Sequence, residues 1–375
     1  MARGHGTTGA RADPVIRDAP AHLTALRPEP AAPGGAGAPL EAFGGAEPYM
    51  SDGYGRRIEY LRISVTDKCN LRCVYCMPEE GLTWLRREQL LSFEEIAEIV
   101  TVMARMGLRR LRITGGEPLV RRGIPELVAM LRAVPGIDDI ALSTNGVLLE
   151  PLAVELREAG VSRLNVSLDS LRPDRVDAIA RRPGSFDRIM AGLDAAERAG
   201  FEPIKINTVV LRGRNDDELA DFARMTMERP WHVRFIEVMP VAENLDVSRD
   251  EYVSAPEILN RVQRIGRLEP TPGPGGNGPA TYFRFPGAPG TVGVITPMSH
   301  NYCDRCNRMR LTADGQLRPC LFGDLQTNLR DPLRRGEPLE PLVRHTLTIK
   351  PPRHYLVHGS AVGSGGLYAL SQVGG

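Results

Sequence analysis

From residue 58 to residue 268, short apolar runs alternate with stretches whose apolar positions suit one face of a helix. Blocks rich in Val, Ile and Leu at 60–64, 110–114, 139–143, 163–168, 204–210 and 232–238 read as brief strands. Ser92 opens the first intervening helix. Glu95, three residues on, completes a capping box, and Gly107 ends it. Further helices are expected at 124–134, in a stretch running through Leu156, and at 186–199, closed by Gly200. Another is expected after Asn215 as its cap, with Glu218 in the first turn. Six consecutive β–α units imply parallel pairing with right-handed crossovers. The predicted fold class is therefore α/β, a partial six-stranded (β/α)6 TIM-like barrel.

The flanks break this rhythm. Residues 1–57 are rich in Ala, Pro, Gly and Arg without a sustained period, and are expected to form a disordered leader. A transit peptide fits less well, because Asp13, Asp18 and Glu29 interrupt the basic character. A Pro/Gly-rich break at 269–279 separates the barrel, 58–268, from a C-terminal extension, 269–375. The formal net charge of +1 gives no general attraction to nucleic acid or to a membrane surface. No apolar run approaches the length of a membrane span. The 6 cysteines are grouped in threes, unlike a disulfide framework, and a reducing cytoplasm is the expected location.

In barrels of this kind chemistry gathers where strands end and loops begin. The distinctive polar residues fall there. Cys69, Cys73 and Cys76 follow the first strand, Gly115-Gly116-Glu117-Pro118 the second, and Ser143-Thr144-Asn145-Gly146 the third. Asn165, Ser167 and Asp169 end the fourth strand, Lys205 and Asn207 lie on the fifth, and Glu237 and Met239 end the sixth. Each taken singly is also explained as turn chemistry. Three thiolates on a short loop can hold three corners of a four-iron cube and leave the fourth iron open. Zinc is the competing reading, but it prefers four ligands and the loop offers no His or fourth Cys.

C-x3-C-x2-C after a first strand, with Tyr75 before the last cysteine, resembles the cluster loop of radical S-adenosylmethionine enzymes. The resemblance implies a [4Fe-4S] cluster whose open iron chelates S-adenosylmethionine, and a 5′-deoxyadenosyl radical that abstracts hydrogen. It further implies that the GGEP segment, through Gly116, faces the amino group of S-adenosylmethionine. On the same ground Tyr75, Ser167 and Met239 line that cofactor.

Cys303, Cys306 and Cys320 form a second trio. Asp314-Gly315 is a hairpin signal that folds Cys320 back to roughly opposite Met309, near Cys306. Spacing alone leaves structural zinc, a structural cluster and a substrate-binding cluster open. The run from Cys303 to Cys320, the segment Gly278-Pro279-Ala280 with Tyr282, and the terminal Gly374-Gly375 resemble the GTP 3′,8-cyclase family of molybdenum cofactor biosynthesis. That family converts GTP to (8S)-3′,8-cyclo-7,8-dihydro-GTP and is classed among the lyases. The resemblance implies a second [4Fe-4S] cluster and GTP contacts on Arg62, Arg112, Ser143, Lys205, Arg308, Met309 and Arg310. It also implies a Gly-Gly tail entering the active site, although Ala369-Leu370-Ser371 departs from the Met-Ser pair common there. A reducing electron donor, a homodimer and hand-over of product to cyclic pyranopterin monophosphate synthase are implied as well. The alternatives are another radical enzyme with an auxiliary cluster, acting on peptides, and a two-cluster electron carrier.

Overall fold

The chain divides into Met1–Leu40 and Glu41–Gly375. The computed structural model describes residues 49–239, 247–276, 278–354 and 370–373, all in the second unit. Part of the expected leader is folded: Met50–Ser51 (β1) pairs antiparallel with Arg57–Ile58 (β2). Within that hairpin Arg56 bonds the Asp52 carboxylate at 2.6 Å and the backbone carbonyls of Cys303, Pro351 and Pro352.

The six expected strands form, at Tyr60–Ser64 (β3), Arg110–Thr114 (β4), Asp139–Thr144 (β5), Arg163–Ser167 (β6), Ile204–Val210 (β7) and Trp231–Glu237 (β8). Each pairs parallel with the next. Their outward residues, such as Ile63, Leu111, Ile113, Leu142, Leu164 and Val233, are fully buried under the helices. The sheet does not stop at six strands. After Glu269–Thr271 (β9) and Thr281–Arg284 (β10), the strand Thr291–Ile295 (β11) pairs parallel with β8. Arg308–Leu311 (β12) pairs parallel with β3 at the opposite side. Gln316–Arg318 (β13) and Thr327–Asn328 (β14) continue from β12 in antiparallel fashion. The result is one 12-stranded sheet in the order β14-β13-β12-β3-β4-β5-β6-β7-β8-β11-β10-β9. Its ends are not joined, so the barrel is open. The C-terminal extension is thus built into both sides of the same sheet.

The first helix, Phe93–Arg105, has the expected capping box: the Ser92 hydroxyl accepts from Glu95 N–H and the Glu95 carboxylate from Ser92 N–H. Two expectations are corrected. The helix Leu219–Glu228 is preceded by Glu218, not capped by Asn215. Asn215 is buried and binds Leu211 N–H, Asp169 C=O and Val209 C=O, because a buried amide must satisfy both its ends. The break at 269–279 begins with β9, whose Pro270 is tolerated because β9 is an edge strand. The helix Pro173–Ala180 was not expected at all.

Candidate active site

The first cysteine loop leaves β3 and is held from two sides. Arg72 N–H and Val74 N–H donate to the carbonyls of Ala180 and Ile179, so the loop hangs on the end of the helix Pro173–Ala180. Val74, Ile179 and Leu211 pack as one apolar cluster beneath it. On the other side Gly116 N–H donates to Thr66 C=O at 2.7 Å and Glu117 N–H to Lys68 C=O at 2.8 Å. A Cβ on Gly116 would lie 2.3 Å from the Lys68 carbonyl oxygen, so the glycine permits the approach of two loops.

The Glu117 carboxylate is used inside the protein. It accepts from Leu119 N–H, Thr144 Oγ1 and Asn145 N–H. Burial raises it to about 7 against these three donors, which pull the other way. Asn145 in turn places its amide 3.8 Å from the Cys69 sulfur and 2.8 Å from Asn70 Oδ1. Tyr75 donates its hydroxyl to Asp169 at 2.6 Å, and burial holds that carboxyl up at about 6. Ser167 ends β6 in register with Asn207, and Met239 stands half-buried just beyond β8. These contacts link the ends of β4, β5 and β6 to the cysteine loop after β3.

Burial pushes all three thiols of this loop up: Cys69 to about 11, Cys76 to about 12, and Cys73 well above its ordinary value. Cys73 is raised further by Asp169, Cys76 and Cys69, which shows the trio to be near one another. Among the described residues no three His, Cys, Asp or Glu side chains are drawn close enough to share one metal ion. A four-iron cube takes its thiolates at separate irons and so spreads its ligands wider than a single ion does.

The second trio lines one small cavity of about 60 Å³, together with Arg308, Arg310, Tyr302 and Phe322. The hairpin at Asp314-Gly315 forms, with Gly315 at φ +84° and Arg310 opposite Arg318, and returns Cys320 to Cys306. Lys350 is buried against this site. Its ammonium donates to Arg308 C=O at 2.9 Å and Pro319 C=O at 2.6 Å, and stands 3.6 Å from the Cys306 sulfur. Burial alone would raise Cys306, but the Lys350 and Arg308 charges bring it down to about 7.

Between the trios lies an interior crowded with cations. Register sets Arg310, Arg62 and Arg112 side by side on β12, β3 and β4, and Arg163 lies in the same row beyond Ala141. Ser143, Asn165, Lys205 and His232 form the next row. Arg234 reaches across to Asn165 Oδ1 at 2.6 Å and Asn207 Oδ1 at 2.5 Å. Arg112 donates to the Tyr60 hydroxyl and to Ser143 Oγ. Asp139 pairs with Arg163. Burial drives Arg62 well down, and Arg310 and Arg112 add to it. Lys205 falls to about 6, first by burial and then by Arg234, Arg163 and Arg112. Its Nζ donates to Gly275 C=O at 2.7 Å.

Of the expected GTP contacts, Arg62, Arg112, Ser143, Lys205, Arg308 and Arg310 share this interior. Met309 does not present its side chain there. Strand alternation turns it to the face opposite Arg308 and Arg310, where it is fully buried. Arg163 and Arg234 were missed, although each stands two residues from, or one strand beside, a polar residue already noted. Lys350 left no signal, since only tertiary folding brings it to Cys306. The described end of the chain, Leu370–Val373, also reaches the interior: Arg310 donates to Val373 C=O at 3.3 Å, and Ser371 N–H lies on the Cys76 sulfur. Gly374 and Gly375 fall outside the described residues.

Residues 63–226 match the model of the Radical SAM superfamily, and residues 231–356 that of Molybdenum Cofactor Synthesis C. The GTP 3′,8-cyclase of Pelotomaculum thermopropionicum is 49% identical over 314 residues, 83% of this chain and 96% of that one. That of Moorella thermoacetica is 47% identical over 329 residues, 87% of this chain and 100% of that one. The structure of Streptococcus suis SuiB bound to S-adenosylmethionine superposes with a TM-score of 0.55 at 14% identity, over 77% of this chain and 68% of that one. At that identity the likeness is one of fold.

Proposed function

The chain belongs to the GTP 3′,8-cyclase family of radical S-adenosylmethionine enzymes, which catalyse the first step of molybdenum cofactor biosynthesis, and we propose how its own residues divide that work. The observation that carries the assignment is the buried surplus of positive charge between the two cysteine trios. Arg62, Arg112, Arg234, Arg308 and Arg310 face one interior with Lys205, which an anion would protonate, and Asp139 in the same network is taken by Arg163. Burying like charges together is costly unless an anion joins them. A triphosphate supplies that anion, with arginine forks matched to its oxygens.

The donor sets fit the implied clusters. Thiols that repel one another when ionised become stable thiolates against a multiply charged metal centre. Cys69, Cys73 and Cys76 would hold the first [4Fe-4S] cluster, and Cys303, Cys306 and Cys320 a second. When bound, the first cluster and S-adenosylmethionine supply one electron and the 5′-deoxyadenosyl group that takes hydrogen from the ribose C3′ of GTP. The residues do the positioning. Gly116 lets the GGEP loop close on the cysteine loop, and Glu117 fixes Asn145 beside Cys69. Tyr75, Ser167 and Met239 border the space for S-adenosylmethionine. The interior cations orient the triphosphate, Arg308 and Arg310 reach from it to the second trio, and the tail at Val373 narrows the space left to water.

In this reading the chain takes electrons from a reducing donor, works in the cytoplasm as a homodimer and hands its product to cyclic pyranopterin monophosphate synthase. Family resemblance supports the dimer and the hand-over, and six cysteines unpaired among the described residues support a reducing compartment. Residues 1–57 form its leader, 58–268 its barrel and 269–375 its auxiliary-cluster region, the last two sharing one sheet.

Anaerobic incubation of the reconstituted protein with GTP, dithionite and S-adenosylmethionine tests the assignment. GTP should pass into an 8-substituted product. Cleavage of S-adenosylmethionine with GTP left intact would overturn it. Cys303→Ala should retain some S-adenosylmethionine cleavage, lose cyclisation and drop bound iron from roughly eight to roughly four per chain. Full cyclisation by that variant would remove the second cluster from the substrate site.

A further inference from the structure

Outside the barrel interior, an open depression of about 1080 Å³ flanks the first cysteine loop. Its wall includes Thr66 and Lys68, the latter next in sequence to Cys69, and none of the interior cations takes part in it. This wall is rigidly joined to the cysteine loop's surroundings, since Thr66 C=O and Lys68 C=O accept the N–H groups of Gly116 and Glu117. Its floor is also fixed: Arg121 donates to Val65 C=O at 2.7 Å and Leu91 C=O at 2.8 Å, with its guanidinium 4.2 Å from the centre of the Phe93 ring.

The depression carries an excess of positive charge. Lys68, Arg87 and Arg122 are exposed on its rim and make no ion pair among the described residues. Arg121 adds a fourth cation at the floor. Arg334 also lines it but is neutralised by Glu95 at 2.6 Å. Against these stand Glu88 and Glu94. The whole chain is close to neutral, at +1, so this is a local concentration of charge.

We infer that this depression is the docking face for a small acidic one-electron carrier protein. The inference rests on the reading of the Cys69 trio as a redox cluster. Such a cluster must receive an electron for each turnover, and the barrel interior on its other side is taken up by substrate. The depression brings a donor to within one residue of a cluster ligand without entering that interior. Electron-transfer encounters are small and short-lived, so affinity matters less than rapid steering, which charge complementarity provides. A concave basic surface focuses the field on a protruding acidic partner.

The test uses the reconstituted holoenzyme with GTP and S-adenosylmethionine, reduced either by dithionite or by an acidic flavodoxin kept reduced by its reductase. Arg87→Glu/Arg122→Glu changes two exposed rim side chains, neither of them among the site residues. It should lower flavodoxin-driven cyclisation roughly tenfold at low salt and leave the dithionite-driven rate unchanged. Rising salt should erase the difference by slowing the wild type. Glu88→Lys should move the flavodoxin-driven rate in the opposite direction. An unchanged flavodoxin-driven rate in the double variant would overturn the inference, as would an equal fall with dithionite. A wild-type enzyme that consumes no GTP with dithionite would instead overturn the cyclase reading itself.

Discussion

Lys205 shows how the interior stores an electrostatic demand in a single side chain. Burial and the charges of Arg234, Arg163 and Arg112 bring it from 10.5 to about 6, so at neutral pH these surroundings hold it largely as the free amine. His232 beside it is held at about 4 by burial and then by Lys205, and is neutral as well. In both cases the folded value lies below the unfolded one. Between about 6 and 10.5 the unfolded chain therefore binds more protons through Lys205 than the folded chain does. The contribution of this residue to stability rises with pH through that window. A triphosphate reverses the local balance, because an anion favours the ammonium. GTP binding near pH 8 should then take up roughly one proton at Lys205. Calorimetry in two buffers of different ionisation enthalpy measures this, and Lys205→Met should abolish that uptake while weakening binding. Equal proton uptake by wild type and variant would show that Lys205 does not face the phosphates.

At the level of elements, the loop after β4 and the loop after β3 behave as one piece, and Gly116 is the reason. Its missing side chain is a packing requirement, since a methyl group there would meet backbone oxygens of Lys68 and Asp67 at 2.3 and 2.5 Å. Gly116→Ala should push the loops apart at a cost of about 1–3 kcal/mol, and the first cysteine loop should bear most of it. Iron bound at the first trio and cleavage of S-adenosylmethionine should both fall steeply. The second trio, on separate elements, should keep its iron. Unaltered cleavage would mean that the close approach is dispensable. Much of this site was legible in sequence because cysteines, glycines and polar strand ends follow apolar blocks that announce themselves. The helix Pro173–Ala180 was not. Its sequence, Pro-Asp-Arg-Val-Asp-Ala-Ile-Ala, offers few apolar positions, and it earns its place by giving Ile179 and Ala180 carbonyls to the cysteine loop. Arg163 and Arg234 stood on strands that were found, but cross-strand register, which alternation within one strand does not provide, is what brings them to Lys205. Lys350 and Arg56 depend on folding across long separations and left no local pattern.

For the whole molecule, the boundary near residue 268 is a boundary in sequence composition and not in the sheet. The alternation of apolar blocks gave β3 to β8 but no indication that β11 and β12 would extend the same sheet from opposite ends. Two parallel strands are thereby covered: β3 by β12 over Tyr60–Ile63, and β8 by β11 over His232–Ile236. The hairpin β1–β2 is tied in by the same extension, through Arg56 to the carbonyls of Cys303, Pro351 and Pro352. A chain ending at Leu268 would present two long unpaired edges rich in Leu, Ile, Val and Phe, with the interior arginines left open to one side. Exposed parallel edges are templates for association, and the antiparallel flanks β13–β14 and β10–β9 that shield them would be gone. Truncation after Leu268 should therefore yield aggregated protein, whereas an independent barrel domain would run as a monodisperse species on size exclusion with native helix content by circular dichroism. The second outcome would show that the barrel folds without its extension. The first would mean that the auxiliary-cluster region is a part of the scaffold, so that substitutions in β11 or β12 act on the first cluster site through the sheet as well as on the second directly.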